Sequence, residues 1–222
     1  MSEPTPDATP DSTPTPLADP LADLDVLDGP WSLADAPAEA RFVNFGALRI
    51  GAIDGLQMRP EFDAKTRQCG AVSVRSGDVQ VQLQVIAAPR GASRWTDLRP
   101  RMAEQLRAQG SQVSVDEGRY GPELAVLRPH KRPDGAVIAI PMRVQGVDGD
   151  RWLLKVTSIG PSVHQESTRA RVDALISRCA VARGEGAAVP GSVLMLTPPA
   201  GAPTPGAPGQ ASPRGGDTEG GQ

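Results

Sequence analysis

Aromatic side chains are scarce in this chain: Phe, Trp and Tyr together make 3% of its 222 residues. Sheets that read single-stranded nucleic acid stack bases on exposed aromatics, so this scarcity weighs against such a function. Histidine is rarer still. With only His130 and His164, a three-histidine metal site cannot be built. Cys69 and Cys179 lie far apart and match no metal or redox spacing, so they read as free thiols in a reducing compartment. No apolar run approaches the roughly 18 residues of a membrane helix, and no basic, then apolar, leader opens the chain. A soluble cytoplasmic protein without a membrane partner is the expectation. Phosphate-binding glycine loops, dinucleotide turns, serine elbows and zinc-helix motifs are all missing, so no cofactor, metal or catalytic residue is expected.

Charge is present but unevenly placed. Residues 1–40 hold nine acids and no Lys or Arg, a charge of −9, whereas residues 41–186 carry +7 and the remainder −1. The formal total of −3 therefore hides an acidic segment joined to a basic body. The first 20 residues are rich in Pro, Thr, Ser and Asp, a composition that buries too little apolar surface to offset ordering entropy. In residues 21–35 acids alternate with Leu, Val and Trp. Two readings stay open there: more solvated tail, or a docking motif anchored by Trp31 with Leu24 and Leu27. Beyond Gly184 an Ala/Pro/Gly-rich tail is expected to be disordered, apart from a weakly docking apolar stretch at 193–196. One α+β domain over 41–184 is expected between these tails.

Within that domain, strands are expected at 42–50, 56–62, 71–75 and 79–87. The last has Val79, Val81, Leu83, Val85 and Ala87 on one side and Gln80, Gln82 and Gln84 on the other, the alternation of a half-buried strand. A helix follows at 93–109, with Trp95, Leu98, Met102 and Leu106 as its apolar stripe and Gly110 ending it. Pro100 does not suit the interior of a long helix, so Asp97 is the expected N-cap. Short strands at 113–115 and 123–128 precede a basic loop at 129–135. The final helix is expected to open on a capping box, Ser162 with Gln165, and to run to about Ala180.

The stretch 138–159 reads as a hairpin, two alternating arms around Asp148-Gly149-Asp150. A three-residue loop pairs Val144 with Leu154 and Met142 with Val156, keeping the apolar sets together. It also places Arg143 across from Lys155, with Arg151 nearby. Like charges facing each other on a strand pair are unfavourable, so these three residues are the expected anion or acidic-partner site. The whole predicts a largely antiparallel sheet of about six to eight strands in the order β-β-β-β-α-β-β-β-β-α, with one apolar face covered by both helices and one charged face open.

That order is similar to the PsbP-like fold, a likeness of architecture that implies no photosynthetic role. The chain also resembles an uncharacterised actinobacterial family of unknown function. The matching residues are Gly29-Pro30-Trp31, Phe45-Gly46-Ala47-Leu48-Arg49, Ala87-Ala88-Pro89-Arg90, Trp95, Gly110, Gly121-Pro122-Glu123-Leu124 and, most distinctively, Gly146-Val147-Asp148-Gly149-Asp150-Arg151-Trp152. Asp150 stands where that family more often has Pro. The resemblance implies a fold and no catalytic residues.

For function, a non-catalytic binding or regulatory module is expected, using a polar, basic sheet face. Its partner would be an acidic protein or the chain's own N-terminal segment. The alternative is a nucleic-acid-associated protein whose basic body is masked by that segment, with an enzyme of unrecognised type behind both.

Overall fold

The computed structural model describes residues 18–91, 93–184, 186 and 188–202. The expectations for 1–17 and 203–222 lie outside these residues. In chain order the elements are β1 (Trp31–Ser32), β2 (Phe42–Phe45), β3 (Leu48–Gly51), β4 (Met58–Phe62), β5 (Cys69–Ser76), β6 (Val79–Ala87), α1 (Arg94–Ala108), β7 (Gln112–Gly118), β8 (Gly121–Lys131), β9 (Val137–Gly149), β10 (Trp152–Ile159), α2 (Glu166–Ile176) and β11 (Cys179–Val181). Strands β4-β5-β6-β10-β9-β8-β7 form one antiparallel sheet, and β1-β11-β3-β2 form a small mixed one. The α+β class and the two helices are as the sequence predicts.

The layering is not. One face of the seven-stranded sheet carries Val72, Val81, Leu83, Val85, Leu154 and Val156, packed with Val172, Leu175 and Ile176 of α2 and with Phe45, Leu48 and Ile50 of the small sheet. The opposite face carries Leu124, Val126, Met142, Val144 and Leu153, packed with Trp95 and Ala103 of α1. Val144 and Leu154 thus lie on opposite sides, and the expectation of a one-sided sheet with both helices beneath it is corrected. Where α1 and α2 both reach the sheet, at the start of β10, it is buried on both faces, which is why β10 opens on Trp-Leu-Leu with no polar residue between.

Several local expectations are also corrected. The strand expected over 42–50 is a hairpin, because Gly46 turns the chain with a φ of 75° and its N–H bonds the Asn44 side chain. Helix α1 begins at Arg94 with Ser93 as N-cap and runs through Pro100. Tertiary contacts at its first turn outweigh the missing donor. Helix α2 starts four residues after Ser162, whose hydroxyl bonds Asp78 and Thr168 in place of a capping box.

The body also extends past both expected limits, 41 and 184. On the N-terminal side Leu21 is fully buried, and the Asp19 carboxylate accepts a bond from Ser76 and pairs with Arg171 at 3.5 Å. On the C-terminal side main-chain bonds from Leu194 to Val85, Leu196 to Cys69 and Thr197 to Phe45 stitch three strands together, and Leu196 is buried.

Candidate partner-binding site

The β9–β10 hairpin decides which side chains can meet. Its register pairs Gly149 with Trp152, Val147 with Leu154, Lys155 with Gly146 and Arg143 with Ser158. The loop is therefore the two residues Asp150 and Arg151, and Arg151 takes the positive φ of 62°. Because side chains alternate along a strand, this odd shift from the expected pairing sends Arg143 and Lys155 to opposite faces. The expected anion site of Arg143, Arg151 and Lys155 is not assembled: Arg143 lies beneath α2, Arg151 is in the turn and Lys155 is on the α1 face.

Arg143 is instead the centre of a buried polar cluster, only 1% exposed. Its Nε and Nη2 donate to the two carboxylate oxygens of Glu123 at 2.6 and 2.7 Å, a bidentate pair. Nη2 also reaches Asp173 of α2 at 3.3 Å, Gln145 donates to the same oxygen at 3.1 Å, and Arg169 of α2 pairs with Glu123 at 3.1 Å. Two arginines face two carboxylates, so the cluster balances its own charge and locks α2 to β8 and β9. Glu123, Gln145, Arg169 and Asp173 carry no sequence signal for this role. The cluster follows from a register that alternation alone misplaces.

Tyr120 borders the cluster, donating to the Asp173 carbonyl at 3.2 Å, and burial together with the Asp173 charge pushes its phenol up to about 12. His164 sits nearby on a 480 Å³ surface cavity with Asp116 and Arg169. Burial, followed by the charges of Arg143 and Arg169, holds its imidazole below the usual histidine range against the pull of Asp116 and Glu123. His130 is exposed on β8. Among the described residues no group of three or more His, Cys, Asp or Glu is placed to hold a metal ion.

Helix α1 packs against β7, β8, β9 and the adjoining end of β10. It leaves the same face of β4, β5, β6 and much of β10 uncovered. There Lys155 stands beside Gln84, Thr157 beside Gln82 and Ile159 beside Gln80. Ser73 and Arg75 continue the rows onto β5, and Arg59 onto β4. Gln80 and Gln82 each donate an amide N–H to the carboxylate of Glu61, which fixes two of the three glutamines.

Lys155 is half-buried, and no carboxylate lies within ion-pair distance of it among the described residues. Burial pushes its ammonium below the usual lysine range. Arg59, Gln57, Ser73, Arg75 and Gln80 line a 160 Å³ depression at the far end of this surface.

The three residues of the expected docking motif lie elsewhere. Trp31 starts the small sheet by pairing with Ala180, Leu24 packs at the edge of the larger core, and Leu27 is exposed while its N–H bonds Ser177. Leu27 and Trp31 line a 540 Å³ cavity with Phe42, Arg41 and Arg178. None of the three touches the surface around Lys155.

In sequence, no curated protein matches the chain. In structure it is similar to cyanobacterial PsbP (CyanoP) from Synechocystis sp. PCC 6803, at 10% identity and a TM-score of 0.37, over 66% of this chain and 95% of that one. The family model described as "Protein of unknown function (DUF3710)" matches residues 29–204. That span takes in both sheets, both helices and the stitching C-terminal segment, and the chain belongs to this DUF3710 family.

Proposed function

We propose that the protein is a non-catalytic binding module that takes an acidic protein segment on the open polar half of its α1 face. One observation carries the reading: Lys155 is a half-buried cation without a counter-ion among the described residues, paired across the strands with Gln84. An ammonium held partly out of water without a partner is costly, and a carboxylate brought by a ligand offsets that cost. The neighbouring Gln80, Gln82 and Gln84 repeat at about 7 Å along β6, the two-residue step of an extended chain. Their amides supply both donors and acceptors to a peptide laid along them. Arg59 and Arg75 outnumber Glu61 on the same surface, so its charge favours an acidic occupant.

The test is a titration of the isotopically labelled full chain with an oligoglutamate peptide, followed by NMR, with oligolysine as the control. Amide shifts should cluster on Gln80, Gln82, Gln84 and Lys155, and Lys155→Met should weaken binding about tenfold, the size of one charge-assisted hydrogen bond. Shifts centred on other elements, or equal affinity in Lys155→Met, would remove the reading.

A further inference from the structure

Strand β7 last pairs at Gln112 with Leu127, but β8 and β9 continue beyond it. Arg128 with Ile140, Pro129 with Ala139, His130 with Ile138 and Lys131 with Val137 form a two-stranded ribbon with no third strand beside it among the described residues. The loop 132–136 closes its tip, where the Arg132 N–H bonds the Ala136 carbonyl at 2.8 Å. Val137 is 67% exposed, Ile138 41% and Leu127 40%. Protruding aliphatic side chains at a hairpin tip add nothing to a core and cost solubility, so they call for a surface to cover them.

Charge accompanies them. Arg128, His130, Lys131 and Arg132 are all exposed, and Asp134 is the sole acid between Glu123 and Asp148. The cross-strand pairing distributes both kinds of group over both faces. Lys131 shares one face with Val137, while Arg128 and His130 share the other with Ile140 and Ile138. A protein laid flat on the ribbon would cover one face only. A nucleic-acid groove would pair with the cations and leave the aliphatics without a role. A lipid interface surrounds an inserted ribbon, takes aliphatic tips at the acyl boundary and meets the flanking cations with its phosphates.

We infer that the β8–β9 ribbon is a contact site for an anionic phospholipid surface, entered by Val137 and Ile138 and held by Arg128, Lys131 and Arg132. Such a contact needs no membrane-crossing helix, and among the described residues no helix is long and apolar enough to be one. It is also separate from the surface around Lys155, which lies on different strands.

Cosedimentation of the full chain with phosphatidylcholine vesicles, with and without roughly 30% phosphatidylglycerol, tests this. Binding should require the anionic lipid and fall about 100-fold in Arg128→Gln/Lys131→Gln/Arg132→Gln, since each cation near such a leaflet contributes about fivefold. In Val137→Ser/Ile138→Ser it should fall about tenfold, the worth of the aliphatic surface withdrawn from water. Lys155→Met should bind vesicles as the parent does, which keeps this result apart from the oligoglutamate one. Circular dichroism checks the fold of each variant, and if one misfolds the other decides. Equal binding to neutral vesicles, no binding at all, or binding indifferent to both variants overturns the inference. Duplex DNA bound tightly by the parent and equally by Val137→Ser/Ile138→Ser would assign the ribbon to nucleic acid and overturn it too.

Discussion

Asp148 caps the helix that begins beside Trp95. Its carboxylate, at the end of β9, accepts the main-chain N–H of Arg94 at 2.9 Å and of Trp95 at 3.2 Å, as well as the Ser93 hydroxyl. Free N–H groups at a helix start attract a carboxylate both as an acceptor and through the helix dipole. The turn motif most distinctive in the sequence is therefore a device for seating α1 on the sheet. Asp148→Ala should destabilise the protein by about 1–2 kcal/mol. Asp148→Asn, which keeps an acceptor, should lose less. Urea unfolding followed by tryptophan fluorescence measures both.

Gly146 lies under the Trp95 ring. A Cβ there would come within 2.3 Å of the ring, far inside contact distance. Gly146→Ala should cost about 1–3 kcal/mol by overpacking. In the double variant with Trp95→Leu the two losses should fall short of their sum, because the smaller side chain makes room. Additive losses in the denaturation cycle would mean that the ring does not rest on Gly146.

Arg143 and Lys155 should behave differently on truncation. Arg143→Ala removes the bidentate partner of buried Glu123, leaving it Arg169 alone and Asp173 only the Gln145 amide, and should cost about 3 kcal/mol. Lys155→Met removes a half-buried cation that has no ion-pair partner among the described residues and should leave stability at neutral pH unchanged or higher. Its folded-state pKa lies below the unfolded value, so the unfolded chain binds more protons between the two. Parent stability should therefore rise with pH across the window from the depressed value up to the ordinary lysine range, and Lys155→Met should lack that rise. Paired pH-dependent denaturation curves provide the comparison.

Cys69 and Cys179 should be inert in the folded protein. Both are buried; burial pushes the Cys69 thiol up and that of Cys179 to about 12, so neither offers much thiolate near neutral pH. Iodoacetamide should label neither until denaturant is added, and then both. Rapid labelling of either thiol in native buffer would contradict the burial.

Much of the fold is legible in local pattern. The alternation of Val79, Val81, Leu83, Val85 and Ala87 against three glutamines identifies β6, its faces and its polar surface. The site's cation was legible as a residue but not in its surroundings. Alternation alone puts Lys155 opposite Arg143, whereas the strand register sets it across from Gly146 and Gln84. The error is one of register. The residues 148–150 look like the turn, but the chain spends Asp148 on α1 and turns at Asp150 and Arg151, where a non-glycine residue accepts a positive φ.

What the sequence by itself determined is the set of elements: an antiparallel, β-rich chain with two helices, glycine-marked turns and few reactive groups, all set by nearest-neighbour sterics and hydrophobic period. Tertiary structure alone decided which face each strand shows to which helix. A strand has two sides and a shift of one residue exchanges them, so the outcome rests on contacts far apart in sequence. The Asp148 cap on α1 and the Arg143–Glu123–Asp173 cluster under α2 are such contacts. They place one helix on each side of the sheet and leave half-buried Lys155 and its glutamines outside the cover of either helix.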